Sequence, residues 1–188
     1  MELEENAAGN FPQVAGTAYV HPSAVLAGRV RIGARVFIGP HAAIRADEPD
    51  PDGVVEPIVI AAGSNVQDCV VVHALGGTRV EIGTGTSLAH AAVVHGPCKI
   101  GADCFVGFNS VVFNATLGNG VVVMHQALVD GVTVPPGLCI PSMMAVCCEE
   151  DVTRLASATP DMIAFARKVS QTNIALAEAA LTRKDMDE

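Results

Sequence analysis

Aliphatic side chains recur at every sixth residue through most of this chain, with breaks at residues 45–59 and 76–79. A period of six fits neither an α-helix, which repeats about every 3.6 residues, nor an amphipathic strand, which alternates about every second residue. The recurring positions are Val20, Leu26, Ile32, Ile38 and Ile44; Ile60, Val66 and Val72; Ile82, Leu88, Val94, Ile100, Val106 and Val112; Leu117, Val123 and Val129; and Val134, Ile140 and Val146. This repeat constrains the fold more than any other feature of the sequence.

The hexapeptide period predicts a parallel β-helix, in which three hexapeptides form each triangular coil and the recurring aliphatic side chains stack inside. Such a prism is too narrow for large rings, and the chain has only 4% aromatic residues and no Trp. An irregular β-sandwich with coincidental spacing is the alternative. The number of aligned aliphatic positions favours the β-helix.

The pattern changes at both ends of the chain. We divide it into an N-terminal segment (1–19), a β-helix (20–150) and a C-terminal α-helix with its tail (151–188). The helix is expected to fold back along the prism or onto a neighbouring subunit. The apolar residues predicted to share one helical face are Met162, Phe165, Ala166, Val169, Ile174, Leu176 and Leu181.

Charge and hydropathy exclude several classes of partner. The formal net charge is −9, from 11 Lys and Arg against 20 Asp and Glu. Because phosphate backbones are bound by clustered Lys and Arg, no nucleic-acid partner is expected. No apolar run approaches the ~18–20 residues that cross a bilayer, so no membrane partner is expected either. The acidic N-terminus lacks the basic and apolar regions of a secretory signal, which predicts a cytoplasmic protein.

The six cysteines show neither the CxxC spacing of zinc sites nor the pattern of a small disulfide scaffold. We interpret them as buried small hydrophobes, with a redox-active Cys147–Cys148 pair as the alternative. The set is Cys69, Cys98, Cys104, Cys139, Cys147 and Cys148.

Three of the six histidines have a spacing that suits a metal site. His73 and His95 each follow an inward valine and are one coil plus the insertion at 76–79 apart, which places them on adjacent rungs about 4.8 Å apart. His90 belongs to a different face, and could meet the pair from an adjacent subunit if the prisms pack as a trimer. Three histidines and an open position are typical of catalytic Zn²⁺, and Co²⁺ or Fe²⁺ would also suit imidazole. The other three are interpreted as surface or packing residues: His21, His41 and His125.

Polar residues lie near these histidines in the repeat. Gln67 follows an inward valine and is predicted to face outward one hexapeptide before His73. Arg45 and Asp47 could form an ion pair at the start of the long loop, or lie separately solvated on the surface. Glu48 beside a metal could move protons.

Four segments resemble the gamma-class carbonic anhydrases. They are Arg45-Ala-Asp-Glu48, Ser64-Asn-Val-Gln-Asp68, His73-Ala-Leu75 and Ser87-Leu-Ala-His-Ala-Ala-Val-Val-His-Gly-Pro97. The resemblance covers roughly residues 17–148 and, weakly, the C-terminal helix. It implies an all-β, left-handed parallel β-helix that forms a homotrimer with a metal ion at each subunit interface. His73 and His95 would come from one subunit and His90 from its neighbour.

The same resemblance assigns roles to other residues. It implies that Gln67 hydrogen-bonds the nucleophilic hydroxide and that Glu48 transfers protons and handles bicarbonate. Arg45 and Asp47 match a pair that joins subunits in the family. Asn173, in a C-terminal segment that also resembles the family, matches an Asn that helps to position CO₂.

Two differences from the archaeal prototype of the family concern proton transfer. The prototype's long acidic loop, which bears a shuttle Glu, is reduced here to Gly76-Gly-Thr-Arg79, with no carboxylate. Gln171 stands where an aromatic residue is expected. Carboxysomal scaffold relatives have the same short loop.

The leading hypothesis is reversible hydration of CO₂ to bicarbonate and a proton, in the cytoplasm or within a microcompartment. One alternative is a non-catalytic, metal-stabilised scaffold or assembly subunit of a larger body such as a carboxysome. The other is a hexapeptide acyl-CoA transferase, which shares the fold and needs an interface His but no metal. Metal content and CO₂ hydration rate, measured on one sample, would separate the three.

Overall fold

The computed structural model describes residues 2–187, over which the chain forms short strands and two helices. Met1 and Glu188, which belong to the two predicted terminal segments, lie outside the described residues. The strands are β1 (Glu2–Glu4), β2 (Gln13–Val14), β3 (Tyr19–Val20), β4 (Val25–Gly28), β5 (Val30–Ile32), β6 (Phe37–Ile38), β7 (Ala43–Ala46), β8 (Ile58–Ile60), β9 (Asn65–Val66), β10 (Val71–Ala74), β11 (Val80–Ile82), β12 (Ser87–Leu88), β13 (Val93–Gly96), β14 (Cys98–Ile100), β15 (Phe105–Val106), β16 (Val111–Phe113), β17 (Thr116–Leu117), β18 (Val122–Val123), β19 (Leu128–Asp130), β20 (Thr133–Val134), β21 (Leu138–Ile140), β22 (Ala145–Val146) and β23 (Ala156–Ser157). The helices are α1 (Glu149–Thr153) and α2 (Pro160–Asp187).

Except for the last pair, β21 and β23, neighbouring strands of one sheet are three strands apart along the chain. Sheet A has the order β1-β4-β7-β10-β13-β16-β19-β22, sheet B the order β2-β5-β8-β11-β14-β17-β20, and sheet C the order β23-β21-β18-β15-β12-β9-β6-β3. Neighbours pair in parallel, except that β23 runs antiparallel to β21. Each coil therefore adds one strand to each face, and the result is a solenoid of about 7 turns that matches the left-handed hexapeptide β-helix. The predicted fold class is confirmed.

The interior of the prism is filled by stacked aliphatic side chains. Ile60, for example, pairs with Ile32 on one neighbouring rung and with Ile82 on the other, and all three are buried. The buried residues of this core are Ala, Val, Ile, Leu and Cys. Phe105, the largest fully buried side chain, packs outside the prism, in a cluster with Ala166 of α2. The narrow interior explains the shortage of aromatic residues.

Two strands lie within the segment 1–19 that the sequence set apart from the β-helix. In β1, Leu3 pairs with Leu26, and in β2, Val14 pairs with Ile32. Both strands lie at the end of their sheets, so the solenoid's strand pairing already begins at residue 2.

Helix α2 packs along sheet C, against β3, β6, β9, β12 and β18. Its buried side chains are small: Ala166, Ser170, Asn173 and Ala177. The predicted apolar face is therefore partly wrong, because Phe165 and Leu176 are 51% and 49% exposed. Small side chains let the helix approach the sheet, while these larger ones lie to one side. Within residues 2–187, no helix combines the length and apolarity needed to cross a bilayer.

The cysteines divide into two groups. Cys98, Cys104 and Cys139 are buried as predicted, and burial raises the pKa of the Cys104 thiol to about 11. The prediction is wrong for the remaining three, which are exposed: Cys69, Cys147 and Cys148. Cys69 occupies a corner of the prism, and the adjacent pair follows the last rung.

From the β6–β7 turn onward, each of the six turns from sheet C to sheet A places a residue in the left-handed backbone region, with φ between 55° and 62°. The residues are His41, Cys69, Ala91, Asn109, Gln126 and Met143. We expect Met143→Gly to raise the free energy of unfolding by roughly 0.5–1 kcal/mol, because Gly adopts this conformation without steric cost. The Met143 side chain is 77% exposed, so its loss removes few contacts.

Gly137→Ala is the matched control, because it replaces Gly by a residue with a side chain at a left-handed position. Urea denaturation measures the free energy of unfolding of both variants. Gly137 has φ 72°, and an added Cβ would meet nothing within 4 Å. The change in stability therefore reports the backbone conformation alone. We expect the free energy of unfolding to fall by roughly 1 kcal/mol. A lower unfolding midpoint for Met143→Gly than for the wild type would contradict the expected gain.

Candidate metal centre

Two histidines lie side by side on the outer surface of sheet A. In the parallel pairing of β10 with β13, His73 stands opposite His95, and in the pairing of β10 with β7 it stands opposite Arg45. Nδ1 of His73 is 3.1 Å from Nε2 of His95, and the ring centroids are 5.0 Å apart. The insertion at 76–79 leaves this register undisturbed, so the two imidazoles occupy adjacent rungs.

Hydrogen bonds on the far side of each ring determine which nitrogens face each other. His73 Nε2 lies 3.2 Å from Asp47 Oδ1 and 3.5 Å from Glu48 Oε1, while His95 Nδ1 lies 3.1 Å from the Gly96 carbonyl oxygen. These oxygens accept, so the network assigns a proton to both outer nitrogens. The two inner nitrogens, 3.1 Å apart, are close enough to bind one cation together. Outer hydrogen bonds of this kind are typical of metal-ligating histidines.

An ion pair supports the outer hydrogen bond of His73. Arg45 Nε donates to Asp47 Oδ2 at 2.9 Å, as the sequence suggested, and Nη2 donates to Oδ1 at 3.4 Å. Partial burial raises the pKa of Asp47, but the hydrogen bonds and charge of Arg45 and the contact with His73 outweigh it, so this pKa lies below its ordinary value. An ionised carboxylate therefore faces His73 at neutral pH. The pair lies within one subunit, and its role in joining subunits stays a prediction.

A second set of predicted residues lies elsewhere, between sheet C and α2. Gln67, His90 and Asn173 line one cavity of about 440 Å³. The rest of its wall is largely apolar, with the rings of Phe37, Phe105, Phe108 and Phe165. Gln67 and Asn173 are buried, whereas His90 is exposed. The cavity thus combines apolar walls with a few polar groups, as small-molecule sites do.

A buried chain of hydrogen bonds orients the Gln67 amide. Gln67 Nε2 donates to Asn65 Oδ1 at 3.0 Å, and Asn65 Nδ2 donates to Ser87 Oγ at 2.7 Å. With this assignment, Gln67 Oε1 remains as a free acceptor among the described residues. The sequence prediction missed Asn65 and Ser87. The repeat could have identified both residues. Asn65, Ser87 and Phe105 pair on adjacent strands of sheet C and occupy the same outward position.

The structure brings His73 and His95 together and leaves His90 apart. Nδ1 of His90 is 3.7 Å from Asp68 Oδ2, which is too long for a hydrogen bond. Among the side chains that the structure describes (residues 2–183 of one chain), no three of His, Cys, Asp or Glu are grouped closely enough to hold a metal ion. A three-histidine site would therefore need two subunits. The ligand roles themselves stay predictions.

Several known proteins are similar to this chain. It is 38% identical over 169 residues to the carbonic anhydrase of Methanosarcina thermophila, covering 80% of this chain and 66% of that protein. It is 38% identical over 183 residues to the carboxysome assembly protein CcmM of a Nostoc species, covering 92% of this chain. A solved hexapeptide transferase family protein of Anaplasma phagocytophilum, 26% identical, has a TM-score of 0.78, with 95% of this chain and 97% of that chain covered. No protein-family model matches the chain.

The extent of these similarities differs between relatives. The chain spans 32% of the length of the Nostoc protein. What that protein does as a whole therefore carries over to this chain only as a proposal.

Proposed function

Because the chain belongs to the gamma-carbonic-anhydrase-like family of hexapeptide-repeat proteins, we propose that it hydrates CO₂ reversibly to bicarbonate and a proton at a metal site between subunits. One observation carries the proposal. The inner nitrogens of His73 and His95 converge to 3.1 Å, while Asp47 and the Gly96 carbonyl oxygen lie within hydrogen-bond distance of the outer nitrogens. This arrangement is suited to a divalent cation, to which a third imidazole would come from another subunit.

The metal would be held by His73 and His95 of one subunit and by His90 of the partner subunit in a homotrimer. Bound Zn²⁺, or Co²⁺ or Fe²⁺ in its place, would supply a hydroxide nucleophile near neutral pH. The ordered outer hydrogen bonds of His73 and His95 would hold both rings in the tautomer that binds metal.

The cavity beside His90 would bind CO₂. Its phenyl rings offer an apolar surface to an uncharged substrate and exclude water. Gln67 Oε1 would accept a hydrogen bond from the nucleophile and so fix its orientation. Asn173 Nδ2 donates to the Val169 carbonyl at 3.0 Å, which leaves its second N–H for an oxygen of CO₂.

Glu48 would carry the proton away. Its Oε1 lies 3.5 Å from His73 Nε2, and its side chain is 44% exposed, so the carboxylate reaches both the site and the solvent. A carboxylate in this position can exchange protons with buffer. The short Gly76–Arg79 loop offers no second one.

Stopped-flow CO₂ hydration on the Zn²⁺-loaded protein tests the proposal. We expect His90→Ala to lower the rate by about a hundredfold or more, because it removes one of three ligands. His41→Asn is the matched control, since His41 is exposed, was assigned no role, and has a φ of 57° that Asn tolerates. An unchanged rate in His90→Ala would rule out this site.

The short loop favours a second function, a metal-stabilised scaffold without hydration activity. A Cβ added at Gly76 would collide with the Pro49 backbone, so the short loop lies against the longer loop at 45–59, and it contributes no acidic group. The name of the Nostoc relative, a carboxysome assembly protein, supports a place in a carboxysome-like microcompartment of the cytoplasm. Bound metal, no hydration activity and co-purification with a larger assembly would establish this function. An acyl-CoA transferase would instead hold no metal by elemental analysis.

A further inference from the structure

His90 differs from the other two proposed ligands in how its ring is held. His73 and His95 each have a hydrogen bond on the outer nitrogen, whereas the His90 ring has none among the described residues. Its side chain is 53% exposed, so burial does not hold it either. A ligand with a freely rotating ring would lose rotamer entropy when it binds a metal.

A ladder of rings along one edge of the prism replaces the missing hydrogen bond. His90 stacks on Phe108, with ring centroids 5.4 Å apart and planes 28° apart. Phe108 stacks in turn on His125, with 4.4 Å between centroids and 9° between planes. The three rings stand at equivalent corners of three consecutive rungs, because each precedes the left-handed residue of its turn from sheet C to sheet A.

The far end of this ladder is fixed to the backbone. The N–H of Phe108 donates to His125 Nδ1 at 3.1 Å, so the ring plane of His125 is tied to the turn that bears Phe108. The Phe105 ring packs against His125 edge-on, at 6.3 Å and 83°. His125 is therefore anchored on two sides, and Phe108 lies between an anchored ring and the exposed ring of His90.

From this geometry we propose that Phe108 and His125 are positioning residues for the third metal ligand: their stack holds the imidazole of His90 in the plane from which it binds. The inference rests on the proposed function in so far as His90 binds a metal. Neither residue is a proposed metal ligand. The sequence predicted a surface or packing role for His125. In this proposal, His125 packs against Phe108 and thereby affects the metal site.

The experiment measures Zn²⁺ affinity of the metal-free protein by competition with a chromophoric chelator, without substrate. Substrate is omitted because Phe108 also lines the cavity proposed for CO₂. We expect Phe108→Leu to weaken Zn²⁺ binding about threefold to tenfold, the range that one aromatic stack supplies. Phe108→Tyr keeps the ring and should retain the affinity. His125→Asn keeps an acceptor for the Phe108 N–H but removes the ring, and should weaken binding in the same direction.

A double-mutant cycle separates positioning from a general structural effect. If Phe108 acts through His90, then Phe108→Leu should have no further effect on Zn²⁺ affinity in a His90→Ala background. The visible absorption of bound Co²⁺ should change in Phe108→Leu, which a loss of folding stability alone would not cause. Equal losses in both backgrounds, or wild-type affinity in Phe108→Leu and His125→Asn, would overturn the proposal.

The outcomes for the two proposals can be told apart. If His90→Ala binds Zn²⁺ as tightly as the wild type, both proposals fail. If binding depends on His90 and the cycle behaves as expected, but CO₂ is not hydrated, the positioning role stands and the catalytic function is rejected.

Discussion

Two inactive variants, His73→Ala and His90→Ala, should restore activity to each other when they are unfolded, mixed in equal amounts, refolded and loaded with Zn²⁺. Each proposed site takes His73 and His95 from one subunit and His90 from the next. An interface between a His90→Ala subunit, which has the intact pair, and a His73→Ala subunit, which has the intact His90, contains all three ligands. Random assembly makes about a quarter of the interfaces intact, so the mixture should show about a quarter of the wild-type hydration rate.

The control mixture combines His73→Ala with His95→Ala. Both substitutions damage the same half of the site, and the paired strands β10 and β13 place those two histidines in one subunit. No mixed interface then regains three ligands, and the activity should stay near zero. Equal recovery in both mixtures, or none in the first, would contradict a site divided between subunits in this way.

Ile60→Ala should lower the free energy of unfolding by about 2–5 kcal/mol, as large-to-small substitutions in packed cores do. Ile60 is fully buried between Ile32 and Ile82 on the neighbouring rungs. Hydrogen-bonded strands hold the rungs on both sides, so the walls cannot collapse into the void, which favours the upper part of this range.

Val59→Ala is the matched control for this substitution. Val59 lies on the same strand but alternates to the outer surface, where it is half-buried. Its truncation should cost roughly 1 kcal/mol or less. Guanidinium denaturation followed by circular dichroism measures both variants. Equal losses of stability would mean that the interior of the prism is not packed by the recurring positions.

The prism could be predicted because parallel pairing converts a constant spacing in sequence into a constant spacing in space. Val14 lies six residues before Val20 and carried the same signal for β2, but Leu3 does not continue the period, so β1 could not be predicted. The exposure of Phe165 and Leu176 could not be predicted either. Helical spacing shows which residues share a side, but how closely a helix approaches a sheet depends on the small residues that face it, here Ala166 and its neighbours.

The site was predictable to a similar degree. The register of His73 with His95 followed from the number of residues between them. The contact of His73 with Asp47 did not, because the path of the long loop depends on tertiary contacts such as the hydrogen bond from Arg29 to the Val55 carbonyl, 2.9 Å long. The stack of Phe108 on His125 could have been predicted, because the two residues are one coil apart in the sequence. The repeat was identified from its aliphatic positions alone, and this aromatic pair was therefore missed.

The insertion between His73 and His95 has a consequence for how such a site can vary. The two histidines are 22 positions apart, and the chain makes a whole circuit of the prism between them, yet the rings are held by the pairing of β10 with β13. The length of the connecting loop and the separation of the imidazoles are therefore independent variables. A longer loop at residues 76–79 could add an acidic group or a binding surface above the site while the distance between the two nitrogens stays the same. The fold thus allows the periphery of the site to be rebuilt without any adjustment of its centre.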